Sequence, residues 1–176
     1  FGDVLRGDSF DGGAHQLRFQ QQAQLQAQAR ETTRQFVTRE SHYIWGRRYL
    51  LTVVEHDALP VVKMDHRRIT LQVRPGANAA RREAIYRHWQ RSLLHEAIPP
   101  LIAHWEQRIG VKLKGYFLQR MKTKWGSCNP ITGRIWFNLE LAKKPVQCLE
   151  YIVVHELVHL LERNHTERFT TLMDQH

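Results

Sequence analysis

The sequence predicts an α+β domain, in which a small antiparallel or mixed sheet packs on a central helix with additional helices around it. Three observations carry this expectation. Residues 36–74 are rich in β-branched and aromatic residues punctuated by short turn signals. Residues 78–108 repeat apolar positions at helical spacing. Residues 151–169 form an apolar run broken by His155, Glu156, His159 and His165. At 176 residues, 42% of them hydrophobic, the chain suits one domain around one core.

In order along the chain, residues 1–13 carry Gly and Asp with little periodicity and read as an irregular arm. Residues 16–30 are Gln-rich and full of helix formers, with Leu17 and Leu25 as a thin apolar stripe, which fits a surface helix. Residues 1–35 are therefore assigned to an N-terminal arm and Gln-rich helix, and 36–176 to the main domain. Within it, 43–45 and 49–55 flank the turn Gly46-Arg47-Arg48 as one hairpin. Segments 61–64 and 69–74 flank Asp65-His66-Arg67-Arg68 as a second, together making a small antiparallel sheet. His42, His56 and His66 fall at strand ends or turns and are expected to be solvated.

Asn78 can cap a helix running to about Ala97, with Ile85, Trp89, Leu93 and Ala97 as its core stripe. Pro99-Pro100 is expected to break it and start another helix over 100–108, ended by Gly110. His88, His95 and His104 on these helices are read as surface or boundary residues. Strands are expected over 115–122 and 134–141, the latter alternating Ile135, Phe137, Leu139 with Trp136, Asn138, Glu140. The turn-rich connection between them contains Trp125-Gly126-Ser127-Cys128, read as a structural turn. Pro145 opens the central helix, which is expected to reach about Arg163.

Composition narrows the function classes. No stretch of 18 uncharged apolar residues exists, so no membrane span is expected. Cys128 and Cys148 form no C-x-x-C pair, which fits a reduced, cytoplasmic setting; the first residue, Phe1, marks a processed or partial chain. The net charge of +9 is spread through the sequence without a run of five, and suits either a solvated basic surface or a polyanionic partner, nucleic acid or nucleotide.

The chemistry lies in the H-E-x-x-H pattern of His155, Glu156 and His159. Histidines at i and i+4 share one helix face, about 40° apart around the axis, so both rings reach one metal ion. Glu156 lies beside them and can contact a metal-bound water without becoming a ligand. On an unbroken helix His165 would be about 15 Å further along the axis and out of reach. The helix must stop first: Asn164 suits a left-handed end and Thr166 can cap a new helix containing Phe169. Glu162 competes as third ligand but is preferred as a supporting or surface residue. Three neutral histidines leave a fourth position for water, the arrangement of a catalytic zinc site, with Glu156 as the base that activates the zinc-bound water.

Gly46–Val53 as G-R-R-Y-L-L-T-V, R-M-K-T-K-W-G-S-C-N (120–129), the I-W-F-N-L strand and L-E-Y-I-V-V-H-E-L-V-H-L with its N-H-x-x-R-F tail together resemble the YgjP-like zinc metallopeptidases, relatives of the SprT and WLM proteases. The resemblance covers roughly residues 36–174 and implies a zincin-like minimal metalloprotease with His155, His159 and His165 on one Zn2+ per chain and Glu156 catalytic. The histidine spacing equals that of the metzincins, with Glu162 at their glycine, so the turn must be made differently, and their Met-turn is not carried over to Met173. Substrate is then protein or peptide, paired with an exposed strand, here 134–141, with Trp136, Asn138 and Lys124 as candidate contacts. Cys128 is not expected to be a nucleophile. The resemblance also admits a metal-dependent nucleotide (UTP) pyrophosphatase or a DNA-associated protease of SprT type.

Overall fold

The computed structural model describes residues 34–176, so the arm and the Gln-rich helix expected before them lie outside the described residues. Four strands, β1 (Ser41–Ile44), β2 (Arg47–Glu55), β3 (Val61–Met64) and β4 (Arg68–Val73), form a sheet in the order β1-β2-β4-β3. A long helix, α1 (Ala79–Ile109), leads to a second, three-stranded sheet of β5 (Gly115–Gln119), β6 (Gly126–Asn129) and β7 (Arg134–Asn138), ordered β5-β7-β6. A 3-10 helix (Leu139–Lys143), α2 (Val146–Val158) and α3 (Glu167–Asp174) complete the domain.

Both expected hairpin turns form. Trp45 and Gly46 take left-handed φ values of 49° and 77°, which closes β1 onto β2 in the two-residue manner that matches strand twist. In the second turn the Asp65 carboxylate accepts from the amides of Arg67 and Arg68, both at 2.8 Å. The sheet is mixed, however. The chain crosses to the far edge for β3, and β4 then inserts between β3 and β2, pairing antiparallel with the first and parallel with the second. Alternation along a strand reports which face is buried but not the direction of the neighbour, so the sequence pointed to antiparallel pairing throughout.

Helix α1 starts as expected, Asn78 Oδ1 accepting from Arg81 N at 2.9 Å, and ends on left-handed Gly110 at φ 76°. It does not break at Pro99-Pro100. The prolines remove donors to the carbonyls of His95 and Glu96, but all four residues are exposed and water can serve those carbonyls. Leu94, Ile98, Ile102 and Trp105 are meanwhile buried on one face across the interruption. Tertiary packing thus overrides the local signal. The most buried stripe, Tyr86, Gln90, Leu94 and Ile98, lies one residue on from the expected one; Ile85, Trp89, Leu93 and Ala97 border it, half-buried.

Two apolar clusters result. One joins Phe36, Ile44, Tyr49, Leu51, Ile69, Leu71 and Val73 to Tyr86. The other surrounds α2 with Leu94 to Trp105 of α1, Ile135 and Phe137 of β7, and Phe169 and Met173 of α3. Trp45 touches both. His42 corrects the expectation of a solvated loop residue: β1 turns it inward, 5% exposed, between the rings of Phe36 and Tyr86 at 5.3 and 4.8 Å. His56, His66, His88, His95 and His104 are exposed.

The β1-β2 turn also fixes the entrance to α2. Trp45 N donates to Ala142 O at 2.9 Å and Gly46 N to Lys143 O at 3.1 Å, and a side chain at Gly46 would strike Pro145. Pro145 takes the N-cap position rather than the first helical one, so α2 starts at Val146, one residue after the expected start. From the other side Trp105 Nε1 donates to Glu150 Oε1 at 3.0 Å, tying α1 to α2.

Candidate metal and catalytic site

Helix α2 is short because its last turn tightens. Leu160 N and Leu161 N donate three residues back, to Leu157 O at 3.0 Å and Val158 O at 2.9 Å, and regular helix stops at Val158. The break therefore falls before Glu162, earlier than expected, and no left-handed asparagine is used: among the described residues Asn164 is not one with positive φ. Thr166 caps α3 as anticipated, accepting from Phe169 N at 3.3 Å. The reversal brings His165 back against the helix end.

His155, His159 and His165 consequently converge, with one ligand atom from each ring lying within 4.8 Å of the others. His165 Nε2 and His155 Nε2 are 3.1 Å apart. His159 Nδ1 sits 3.0 Å from the carbonyl of Glu162, so its proton is held there and Nε2 is left as the free lone pair, the tautomer a metal requires. Glu162 thus contributes its backbone, while its carboxylate accepts from Asn164 N at 3.4 Å. Phe169 packs against all three imidazoles, with centroids 4.6–5.0 Å away. Sequence reasoning placed Phe169 on the capped helix but missed this part; its i+3 spacing from the Thr166 cap was the available signal.

The electrostatics suit a cation. Burial, reinforced by the neighbouring His159 and His165, pushes the His155 imidazole down to about 3. Burial also lowers His159. Nδ1 of His155 is buried without a hydrogen-bond partner, and its Nε2 faces another imidazole nitrogen. Clustered neutral rings with converging lone pairs are costly unless a positive ion lies between them. Nitrogen donors at about 2.1 Å around a tetrahedral ion lie about 3.4 Å apart, close to the 3.1 Å between His155 Nε2 and His165 Nε2, while the triad as a whole spans up to 4.8 Å. The residues fit a zinc-type metal.

Glu156 is 5% exposed and its carboxyl is pushed up to about 8 by burial, which the Lys124 ammonium partly opposes. It fits only because β6 presents a glycine: a Cβ on Gly126 would lie 2.6 Å from Glu156 Cγ. Residues 126–129, expected as a turn, are a strand antiparallel to β7, and Gly126 is a functional residue the sequence reading passed over. Gly126 lies in the sequence between two strand patterns, where glycine usually marks a turn or close backbone approach; only the second applies. Cys128 shares the same side, its thiol pushed up to about 12 by burial and by Glu156, so it is no nucleophile at neutral pH.

The expected substrate strand requires correction. Residues 139–143 leave the strand as a 3-10 helix, and β7 is the central strand, flanked by β5 and β6, so its backbone has no free side for a peptide. Trp136 stacks on Phe117 at 5.4 Å on the outer face of the sheet. Asn138 is 2% exposed; its amide donates to Met121 O at 2.9 Å and Lys124 O at 2.7 Å and its oxygen accepts from Glu140 N at 3.1 Å. It is a clamp on the chain preceding β6, with no surface for substrate. Lys124 is exposed beside Glu156.

A helix with a histidine and a buried glutamate in its last turn and a second histidine at its C-cap, a third histidine returned by a break, and a small sheet against the helix define a minimal zincin-like metallopeptidase domain. The chain belongs to the YgjP-like family, matching the description "YgjP-like, metallopeptidase domain" over residues 15–176. That match begins within the stretch assigned from sequence to the N-terminal arm. No curated protein matches. A solved structure, the metallopeptidase zymogen of Pyrococcus abyssi abylysin, is similar at 18% identity and a TM-score of 0.41, covering 44% of this chain and 77% of that one.

Proposed function

We propose that this metallopeptidase is a zinc-dependent hydrolase of peptide bonds, with His155, His159 and His165 holding one ion and Glu156 serving as general base and then acid. The observation that carries the reading is the convergence of three imidazoles beside a buried glutamate that is seated against Gly126. When bound, zinc would polarise the substrate carbonyl and make water acidic enough to be used near neutral pH. Glu156 takes a proton from the attacking water and delivers it to the leaving amine. Its carboxyl can do this only while its rotamer is fixed, which Gly126 and the surrounding helix face provide.

Edge strand β6 runs beside α2 and among the described residues has one side unpaired, so it is the strand to which an extended substrate would add. Backbone pairing of that kind orients a peptide without demanding a particular sequence. No helix of the described residues is long and apolar enough to cross a membrane. The two cysteines are both free, which suits a reducing setting such as the cytoplasm.

The reading is tested by assaying an unfolded protein substrate and nucleoside triphosphates side by side, with and without chelator. Chelator-sensitive, zinc-restored cleavage of protein with no phosphate release is expected. Phosphate release without proteolysis would replace the peptidase reading with nucleotide hydrolysis.

A further inference from the structure

Two exposed ammonium groups, Lys122 and Lys124, lie on the segment that leads into Gly126, the glycine seated against Glu156. Among the described residues neither forms an ion pair, whereas nearby Arg120 and Lys143 both engage Glu140, at 3.8 and 2.6 Å. The segment carrying them is fixed. Asn138 accepts from Met121 N at 3.3 Å and donates to Met121 O and Lys124 O, so the backbone at both ends is pinned from the core. Pinning matters because a cation on a fixed backbone loses less entropy on pairing than one on a loose loop.

Position follows from the same clamp. Gly126 touches the Glu156 side chain, and Lys124 is two residues before it. The Cα atoms of Lys124 and Lys122 therefore lie no more than about 7 Å and about 14 Å from that of Gly126. An extended substrate on β6 covers the same span in roughly two to four residues, so side chains that far from the reacting bond come within reach of these ammoniums. The chain's net charge of +9 adds a general attraction for anions.

We propose that the cleft selects protein segments with acidic side chains roughly two to four residues to one side of the cleaved bond, Lys122 and Lys124 supplying the complementary charge. This rests on the peptidase reading and adds a substrate class to it. Nucleic acid is the poorer match: a duplex commonly engages about six to ten phosphates along a track, and here two ammoniums lie on one short segment before Gly126, a match for one or two carboxylates.

The test uses matched peptides with one cleavable core and Glu, Gln or Lys at those flanking positions, assayed with the wild-type protein and the exposed double variant Lys122→Glu/Lys124→Glu. For the wild type, kcat/KM for the Glu peptide should exceed that for the Lys peptide by roughly five-fold at low salt, shrinking as salt rises. The double variant should reverse the order. Equal rates for all three in the wild type, or an acidic preference that survives the reversal, overturns the proposal. Cleavage of the Gln peptide that is lost in Glu156→Gln supports the peptidase reading independently of charge. If no peptide is cleaved, anisotropy of the labelled Glu peptide on the Glu156→Gln protein still decides: weaker binding in the charge-reversed background keeps the surface and sinks only the peptidase reading. An oligonucleotide that displaces the labelled peptide better than the unlabelled peptide does, and fails to in the double variant, reassigns the patch to nucleic acid.

Discussion

Gly126 borders Glu156 so closely that a methyl group in place of its hydrogen would stand 2.6 Å from the Glu156 Cγ and 2.7 Å from the Cδ. Those distances are far inside van der Waals contact, so one of the two residues must move. Gly126 is held in the β6-β7 ladder opposite Phe137, which is fully buried, and Glu156 is in the last turn of α2. The glutamate side chain is the softer partner. Gly126→Ala should therefore leave zinc content intact and lower kcat by about 100-fold, the usual cost of a misplacement near 1 Å. In a Glu156→Asp background, where the carboxyl is withdrawn by one methylene, the same alanine should cost much less, a non-additivity that kcat measured around the cycle of four proteins would expose.

His165 is the exposed member of the triad, delivered by the chain after α2 rather than by the helix. Its replacement should spare the fold and disable the ion site. Zinc at about 100 times its Kd should stabilise the wild type by about 2.7 kcal/mol, and that increment should vanish in His165→Ala. Thermal unfolding with and without added zinc measures both. An increment that persists in the variant would remove His165 from the ligand set.

The metal-free protein should lose stability on the acid side. An unfolded chain protonates the His155 imidazole near its ordinary value of 6.5, while the folded state resists until about 3. Between those values the unfolded state binds more protons, so stability falls as pH drops from 6.5 towards 3. His155→Gln should flatten that slope. Chemical denaturation of the chelated protein at a series of pH values reads it directly, and an unchanged slope would remove His155 as its source.

Gly46 unites two constraints. Its φ of 77° is left-handed, and a Cβ there would lie 2.8 Å from Pro145 Cγ, at the entrance to α2. Gly46→Ala should destabilise by about 2 kcal/mol or more, combining the backbone penalty with the clash. Because the turn docks on the start of the helix that carries His155, metal affinity should fall alongside stability. A denaturation midpoint within error of wild type would contradict this role for the β1-β2 turn.

Legibility from sequence followed the range of the interaction. Asn78, Gly110 and Thr166 announced their helix ends because a cap is satisfied within three or four residues. The fold class, the two hairpin turns and the convergence of His155, His159 and His165 were anticipated for the same reason: each follows from local spacing and one required break. What was missed depends on partners distant in sequence. The parallel β2-β4 pair needs a crossover that strand alternation does not encode. The continuity of α1 through Pro99-Pro100 comes from packing against α2. Asn138 and His42 look polar and available in a linear reading, yet tertiary contacts bury both. Gly126 is the sharpest case, since its side of β6 has meaning only once Glu156 is placed across from it.

The most direct measurement is proteolysis by Glu156→Gln protein whose zinc content has been matched to wild type. The substitution keeps the side chain's size against Gly126 while removing its basicity. Full zinc occupancy with cleavage reduced by at least about 100-fold is the expected result. Cleavage at the wild-type rate by the zinc-loaded variant would contradict the role assigned to Glu156 and with it the peptidase mechanism.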